Sequence, residues 1–198
     1  MSYPQSTKDG FTAIELIVVI AIITLISSTV LVSFSGLNQG IALQRGAREL
    51  ALATRRAQNR ALAVSQLRIG GVDVIPPAVG IFLTTGSTNF KVFADLADPV
   101  SGLSDKHYTS SSEDFETATF DRSIQIQALK GYPGGEATPA VNHDTANILF
   151  SSPDGTMNIT DENGSNALIG ERLDVVLVAP NGQTKTMIVR ITGQIDIK

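Results

Sequence analysis

Residues 11–34 read FTAIELIVVIAIITLISSTVLVSF, a run of 24 residues whose only charge is Glu15. As a helix rising 1.5 Å per residue it would be roughly 36 Å long, enough to cross a hydrocarbon core of about 30 Å. Ile and Val are poor helix formers in water. In lipid that objection fades, because an unpaired backbone group costs more than a rotamer preference. Two other readings compete. So apolar a stretch inside a globular domain would be a buried core helix. A cleaved secretory signal would use Ser33-Phe34-Ser35, before Gly36, as its small-x-small site. Against that signal, the run is longer than a usual apolar signal core and holds a carboxylate. The region before it carries only Lys8 and Asp9 as charges, so it is not basic.

Glu15 is the informative residue, because an acidic side chain in a bilayer is expensive, less so near an end. The plain reading is a carboxylate close enough to the surface to reach water. Its spacing offers another. Glu15 follows Gly10-Phe11 by one helical turn, so a cut after Gly10 would place a new α-amine near this carboxylate. An ammonium on one chain and a carboxylate on another would then pair inside an apolar bundle.

The segment Gly10-Phe11-Thr12-Ala13-Ile14-Glu15-Leu16-Ile17-Val18 closely resembles the class III signal of type IV pilins and type II secretion pseudopilins. The resemblance implies cleavage between Gly10 and Phe11 by a prepilin peptidase. It further implies N-methylation of Phe11 and a role for Glu15 in guiding filament assembly. Implied partners are that peptidase, other pilins or pseudopilins, and an inner-membrane assembly platform. The leader departs from the family in one respect. Lys8-Asp9-Gly10 is nearly neutral where a basic residue usually precedes the Gly, which weakens the positive-inside signal.

A polar, flexible break is expected at Leu37-Asn38-Gln39-Gly40, after which helical periodicity resumes to about Leu67. At 100° per residue, Leu43, Ala47, Leu50, Thr54, Ala57, Gln58, Ala61 and Val64 share one face. Arg45, Arg48, Arg55, Arg56 and Arg60 share the other, with Leu52 and Ile41 as apolar exceptions among them. The apolar face is rich in Ala, so a sheet must pack closely on it. Between Asn38 and Arg68 there are six Arg and one Glu, a net of +5, whereas residues 69–198 carry −8. Three readings of the arginine face stand in order: a solvated face, a subunit contact with an acidic neighbour, and nucleic-acid contacts through Arg55, Arg56 and Arg60. The stretch has no aromatic residue for base stacking, which places the last reading third.

Beyond Arg68 short apolar runs alternate with Gly, Pro, Asn and Asp, the pattern of strands and turns. Strands are expected at 79–83, 90–94, 123–129, 148–151, 173–179, 186–191 and 194–197. Pro180-Asn181-Gly182-Gln183 should form a tight hairpin through positive φ at Asn-Gly. Thr192-Gly193 and Ser152-Pro153-Asp154-Gly155 supply further turns. An antiparallel meander follows, since no later segment has helical periodicity for βαβ units. The helix from Arg48 to Leu62 and the closing strand, Asn181-Gly182, strand, Gly193, strand pattern resemble minor pseudopilins of the GspH/FimT type. The fold expected is α+β, a long amino-terminal helix packed on a carboxy-terminal antiparallel sheet. Its segments are a leader (1–10), a membrane or filament-core helix (11–37), the amphipathic half of the helix (38–68) and a β-rich domain (69–198).

Other candidate chemistry is thin. The absence of Cys excludes disulfides, thiolate nucleophiles and Cys-ligated metals. Asp95, Asp98, Asp105 and Ser101 hint at a calcium loop, but EF-hand spacing is missing, so a polar loop is expected. Asp154, Asn158, Asp161, Glu162 and Asn163 read as turns, His107 and His143 as surface histidines, and Ser110-Ser111-Ser112 beside Glu113 and Asp114 as a mobile loop. Gly131-Tyr132-Pro133-Gly134-Gly135 reads as another loop. The sequence thus points to a structural subunit of a type IV pilus or pseudopilus, not an enzyme, with no cofactor. It would sit in the bacterial inner membrane as a single-pass protein, its carboxy-terminal domain outside the cytoplasm, and later in the filament. The alternatives are a DNA-binding minor pilin and a secreted domain behind an ordinary signal peptide.

Overall fold

The computed structural model describes residues 10–96, 104–133, 139–165 and 169–198, with the backbone alone at 31–37. The leader residues Met1 to Asp9, together with Asp98, Ser101, Gly134 and Gly135, lie outside the described residues. The fold is α+β. Among the described residues one α-helix, α1 (Ala13–Leu62), precedes twelve strands. It runs through Leu37-Asn38-Gln39-Gly40 without interruption, where a break is expected from sequence. A Gly inside a helix costs only about 1 kcal/mol relative to Ala, and propagation needs no new nucleus, so a short polar stretch does not stop it. The chain nevertheless divides into two compact units, Met1–Asn38 and Gln39–Lys198.

In the first unit, Ala13–Val30 has a mean hydropathy of 2.5 and none of it is buried. The hydroxyls of Thr24, Ser28 and Thr29 turn back to the helix. Thr24 Oγ1 donates to Ala21 O at 2.9 Å, Ser28 Oγ to Leu25 O at 2.9 Å and Thr29 Oγ1 to Ile26 O at 2.8 Å. Each donor is thereby satisfied without water, as an apolar environment demands.

In the second unit, α1 buries Ala42, Leu43, Ala47, Leu50, Ala53, Thr54, Ala57 and Ala61, most of the face expected from periodicity, with Gln58 half-buried and Val64 exposed beyond the helix end. Ile41 and Leu52 stay exposed on the arginine side. Small residues let the packing come close: a Cβ on Gly46 would stand 3.2 Å from the Phe120 ring. The helix ends at Leu62, earlier than expected, in a left-handed cap. Val64 has φ 49°, its N–H donates to Ala61 O at 3.1 Å, and Ser65 N–H donates to Arg60 O at 3.1 Å. This is a Schellman motif with Val where Gly is usual, which is why no sequence signal marks it.

A hairpin of β1 (Leu67–Ile69) and β2 (Val72–Val74) turns on Gly70-Gly71, both at positive φ. The remaining strands are β3 (Ala78–Thr84), β4 (Asn89–Asp95), β5 (Asp114–Thr119), β6 (Gln125–Gly131), β7 (Val141–His143), β8 (Thr145–Ser151), β9 (Met157–Thr160), β10 (Arg172–Val178), β11 (Thr184–Arg190) and β12 (Ile195–Ile197). They build two antiparallel five-stranded sheets rather than the single meander expected, in the orders β5-β4-β3-β8-β9 and β12-β11-β10-β6-β7. The reason lies in β6 and β8. β8 pairs with β3 from Ala78↔Ser151 to Thr84↔Thr145, and β6 pairs with β10, so the chain switches sheets after β5, after β7 and again after β9. Ile81, Leu83, Val92 and Ile148 of one sheet meet Ile126, Leu129, Val175, Leu177 and Met187 of the other in one core with the buried face of α1. β3 is buried along nearly its whole length because its outer face is covered too, by a second cluster of Ala78, Phe93 and Leu149 with Phe82 and Tyr108.

The turn at Pro180-Asn181-Gly182 is tight, but only Gly182 takes positive φ, at 82°. Gly182 N–H donates to Ala179 O at 2.9 Å and Ala179 N–H to Gln183 O at 2.9 Å. Pro180 therefore occupies the second turn position and Gly182 the left-handed position of a three-residue hairpin. Arg190 to Gln194 repeats this arrangement, with Gly193 at φ 85°.

Candidate functional site

Three groups of residues carry the possible chemistry. The first is the start of α1. Gly10 and Phe11 are exposed and outside the helix, and Thr12 stands just ahead of the first helical residue. Thr12 N–H and Thr12 Oγ1 each donate to Glu15 Oε2 at 2.9 Å, and Glu15 N–H donates to Thr12 Oγ1 at 3.3 Å. This is a capping box, T-x-x-E, in which each residue satisfies the other's backbone donor. The sequence carries that signal openly, yet the spacing to Gly10 alone does not call attention to it. Phe11, Ile14, Glu15, Val18 and Val19 line a shallow apolar recess of about 300 Å³ beside the carboxylate.

The second group is the arginine face. Arg45, Arg48, Arg55 and Arg56 are exposed. Among the described residues none of these four has an acidic partner, and Arg55 only meets Gln58 Oε1 at 3.3 Å. Arg60 is different. Its guanidinium lies 4.4 Å from the Phe115 ring centroid and 3.8 Å from Glu116 Oε2, so β5 already engages it. A groove of about 300 Å³ between Arg48, Ala51, Leu52, Arg55, Ile195 and Ile197 runs beside this face.

The sequence predicts polar loops for the third group, which holds for Asp105 but not for Asp95 or Glu113. Asp95 ends β4 and is fully buried; Glu113 sits in a short 3-10 turn (Ser111–Glu113) and is also buried. Asp105 joins them at the surface, and one carboxylate oxygen from each residue lies within 4.8 Å of the other two. Asp95 Oδ2 accepts from Ser104 Oγ and from Lys106 N–H at 3.2 Å, whereas Asp95 Oδ1 is buried and, among the described residues, accepts no hydrogen bond. Glu113 accepts Leu96 N–H at 3.2 Å and Thr109 N–H at 2.8 Å. Burial pushes the Asp95 carboxyl up to about 6, and the negative charges of Asp105 and Glu113 add to that shift.

What holds this loop is its neighbour, Tyr108. Its ring stacks on Phe82 at 4.4 Å and meets the edge of Phe93 at 5.5 Å. Lys91 Nζ donates to Tyr108 OH at 2.7 Å and to Asp114 Oδ2 at 3.0 Å. Tyr108 N–H donates to Asn147 Oδ1 at 3.1 Å, and Thr160 Oγ1 to Lys106 O at 2.7 Å. Sequence reasoning missed Glu113 because its partners are 17 and 4 residues away in the chain and only the fold of β4 against β5 brings them together.

The remaining candidates stay structural. Asp154 accepts from Thr156, and Asp161 Oδ1 accepts Asn163 and Ser165 N–H, so both are turn residues as expected. His107 Nδ1 faces Asp105 O at 3.1 Å. His143 departs from the surface position expected for it: it is buried on β7, opposite Leu129, and among the described residues its Nε2 has no partner. Comparison with known protein families, with characterised proteins and with solved structures finds no match to this chain.

Proposed function

We propose that this chain is a structural subunit of a type IV pilus-like or type II secretion pseudopilus filament, cut after Gly10 by a prepilin peptidase and methylated on Phe11. The observation that carries the reading is the segment Gly10-Phe11-Thr12-Ala13-Ile14-Glu15 at the head of a fully exposed apolar helix, Ala13–Val30. Exposed apolar surface on this scale calls for lipid or other helices to cover it. In this reading the helix lies first in the inner membrane, with Gln39–Lys198 outside the cytoplasm, and then leaves the bilayer to bundle with copies of itself or of related subunits. Head-to-tail packing of one helix against the next does not close, so the product is a helical polymer. The Phe11 amine of one subunit and Glu15 of another neutralise each other within the apolar bundle, which sets axial register. The α+β unit supplies surface and contacts rather than catalysis, and the arginine face of α1 suits an acidic neighbouring subunit.

Mass spectrometry of the chain co-expressed with a prepilin peptidase tests this. The expected amino-terminus is N-methyl-Phe11. A mature start near Gly36 would instead assign an ordinary secretory signal and end the filament reading.

A further inference from the structure

We propose that the groove between the arginine side of α1 and β12 takes an extended, acidic segment of another protein, added to β12 as a further strand. The inference concerns Gln39–Lys198 alone and stands whether or not the chain is cut after Gly10.

β12 is the outer strand of its sheet, in the order β12-β11-β10-β6-β7. Thr186 and Lys198 exchange both backbone hydrogen bonds, at 3.0 and 2.9 Å, and Arg190 N–H donates to Gln194 O at 2.9 Å. In an antiparallel pair such residues alternate with ones whose backbone groups point away from the partner strand. The N–H and C=O groups of Ile195 and Ile197 therefore face outward along the edge. The side chains of Ile195 and Ile197 pack against the core. Asp196, on the opposite face, is held by Arg190 at 2.7 Å and Gln194 at 3.0 Å. Sheet edges are usually blunted by Lys, Pro or a bulge. Ile195-Asp196-Ile197 has none of these.

The groove beside this edge has a volume of about 300 Å³, with Ala51, Leu52, Ile195 and Ile197 as apolar lining and Arg48 and Arg55 as its charged residues. Leu52 is 61 % exposed, a large apolar side chain among arginines. Arg48 and Arg55 have no acidic partner among the described residues. The stretch from Asn38 to Arg68 carries +5, so an acidic occupant is drawn in and a basic one repelled.

The spacing shapes the occupant. Arg48 and Arg55 stand about 10 Å apart along the helix, with Leu52 between them. The complementary strand face carries an apolar residue with a carboxylate two residues to either side, a span of about 14 Å that two long arginine side chains can reach. Nucleic acid suits the groove less well, since no aromatic residue lines it for stacking. A lipid surface cannot pair with the backbone groups of a strand edge. A peptide does both: its main chain pairs with the edge and its side chains meet the groove.

The test selects short random peptides, displayed on phage, against the full-length chain in detergent, and titrates the recovered peptides by calorimetry. The acidic-x-apolar-x-acidic pattern is expected, with affinity falling as salt rises. Arg48, Leu52 and Arg55 are exposed, so their variants should fold as the parent does. Arg48→Glu/Arg55→Glu and Leu52→Asp should each weaken binding by about tenfold or more, whereas Arg56→Glu, off the groove, should weaken it by about threefold at most. Hydrogen exchange at Ile195 and Ile197 N–H should slow when peptide is bound. Recovered peptides that bind the Arg48→Glu/Arg55→Glu protein as tightly as the parent would overturn the site. So would unchanged exchange at Ile195 and Ile197, or a selection that enriches nothing over the Leu52→Asp protein. A DNA duplex that displaces the peptides and binds more tightly than they do would give the face to nucleic acid instead. The amino-terminal mass of the same preparations reports on processing separately.

Discussion

Thr12 and Glu15 cap one another: Glu15 Oε2 receives both the backbone N–H and the hydroxyl of Thr12, each at 2.9 Å. Glu15 therefore has a local task at the first turn of α1 whatever it does in a filament. The two tasks need different chemistry. A capping box accepts Gln at the third helical position as well as Glu, whereas pairing with an ammonium needs the charge.

Glu15→Gln and Glu15→Ala separate them. Both variants should be cut after Gly10 and methylated as the parent chain is. Hydrogen exchange at Thr12 N–H should be several-fold faster in Glu15→Ala and nearly unchanged in Glu15→Gln. Both should enter filaments poorly if the charge sets register. If Glu15→Gln assembles normally while Glu15→Ala fails, the cap is what assembly needs and the proposed ion pair is wrong.

Val64 ends the helix in a conformation that β-branched residues avoid. At φ 49° its side chain is strained, and at 43 % exposure it contributes little packing in return. The left-handed conformation costs a non-Gly residue about 1–2 kcal/mol, and Gly gives back part of that through the freedom it loses on folding. Val64→Gly is expected to stabilise the chain by about 0.5–1 kcal/mol, read as a higher urea midpoint at an unchanged slope. A lower midpoint would mean that the cap is not where the helix is strained.

The same cap shows where sequence is legible and where it is not. The buried face of α1 followed from the spacing of Leu43, Ala47, Leu50, Ala57 and Ala61, because helical periodicity is local. The six strands with apolar runs, and the short closing strand after Gly193, were legible from equally local patterns. β5 was not: its sequence DFETAT looks like a loop, and it is a strand because β4 offers it an edge from Asn89↔Thr119 to Phe93↔Asp114. β9, only four residues long, is likewise defined by its pairing with β8. The switch between two sheets is a property of pairings such as Ile81↔Ile148, 67 residues apart, which no local pattern encodes. Of the acidic cluster, Asp95 and Asp105 were visible as candidates. Glu113 and the burial that gives the group its meaning were not.

Tyr108 fastens the loop that carries Asp105. Its ring fills the outer face of the β3–β4–β8 sheet against Phe82 and Phe93, while its hydroxyl accepts from Lys91. Tyr108→Phe keeps the ring and loses one charge-assisted hydrogen bond, so a loss of about 1–2 kcal/mol is expected. Tyr108→Ala removes the ring as well and should cost about 3–4 kcal/mol. Denaturant titration of both variants measures the difference. Equal losses would show that the hydroxyl, and not ring packing, holds the loop.

On β10, Arg172 and Asp174 stand two residues apart and so share the face opposite the core residues Leu173, Val175 and Leu177. Arg172 Nε donates to Asp174 Oδ1 at 2.7 Å and Nη2 to Oδ2 at 2.8 Å, a two-pronged pair. Tyr132 completes it, its hydroxyl donating to Asp174 Oδ2 at 3.1 Å while its ring lies 4.5 Å from the guanidinium. The side chains are only 16 % and 9 % exposed, so solvent screens the pair weakly. Removing one partner from such a pair costs about 3–5 kcal/mol in a fully buried setting, and about 2–3 kcal/mol is expected here for Asp174→Ala. Arg172→Lys should recover little of what Arg172→Ala loses, because an ammonium cannot make the fork or lie flat on Tyr132. The Arg172→Ala/Asp174→Ala double variant should be less destabilised than the sum of the two single variants by about 1–2 kcal/mol. That coupling should persist at 1 M NaCl, since the pair is shielded from solvent. Additive losses, or a coupling that vanishes with salt, would place the pair among ordinary surface ion pairs of little energetic value.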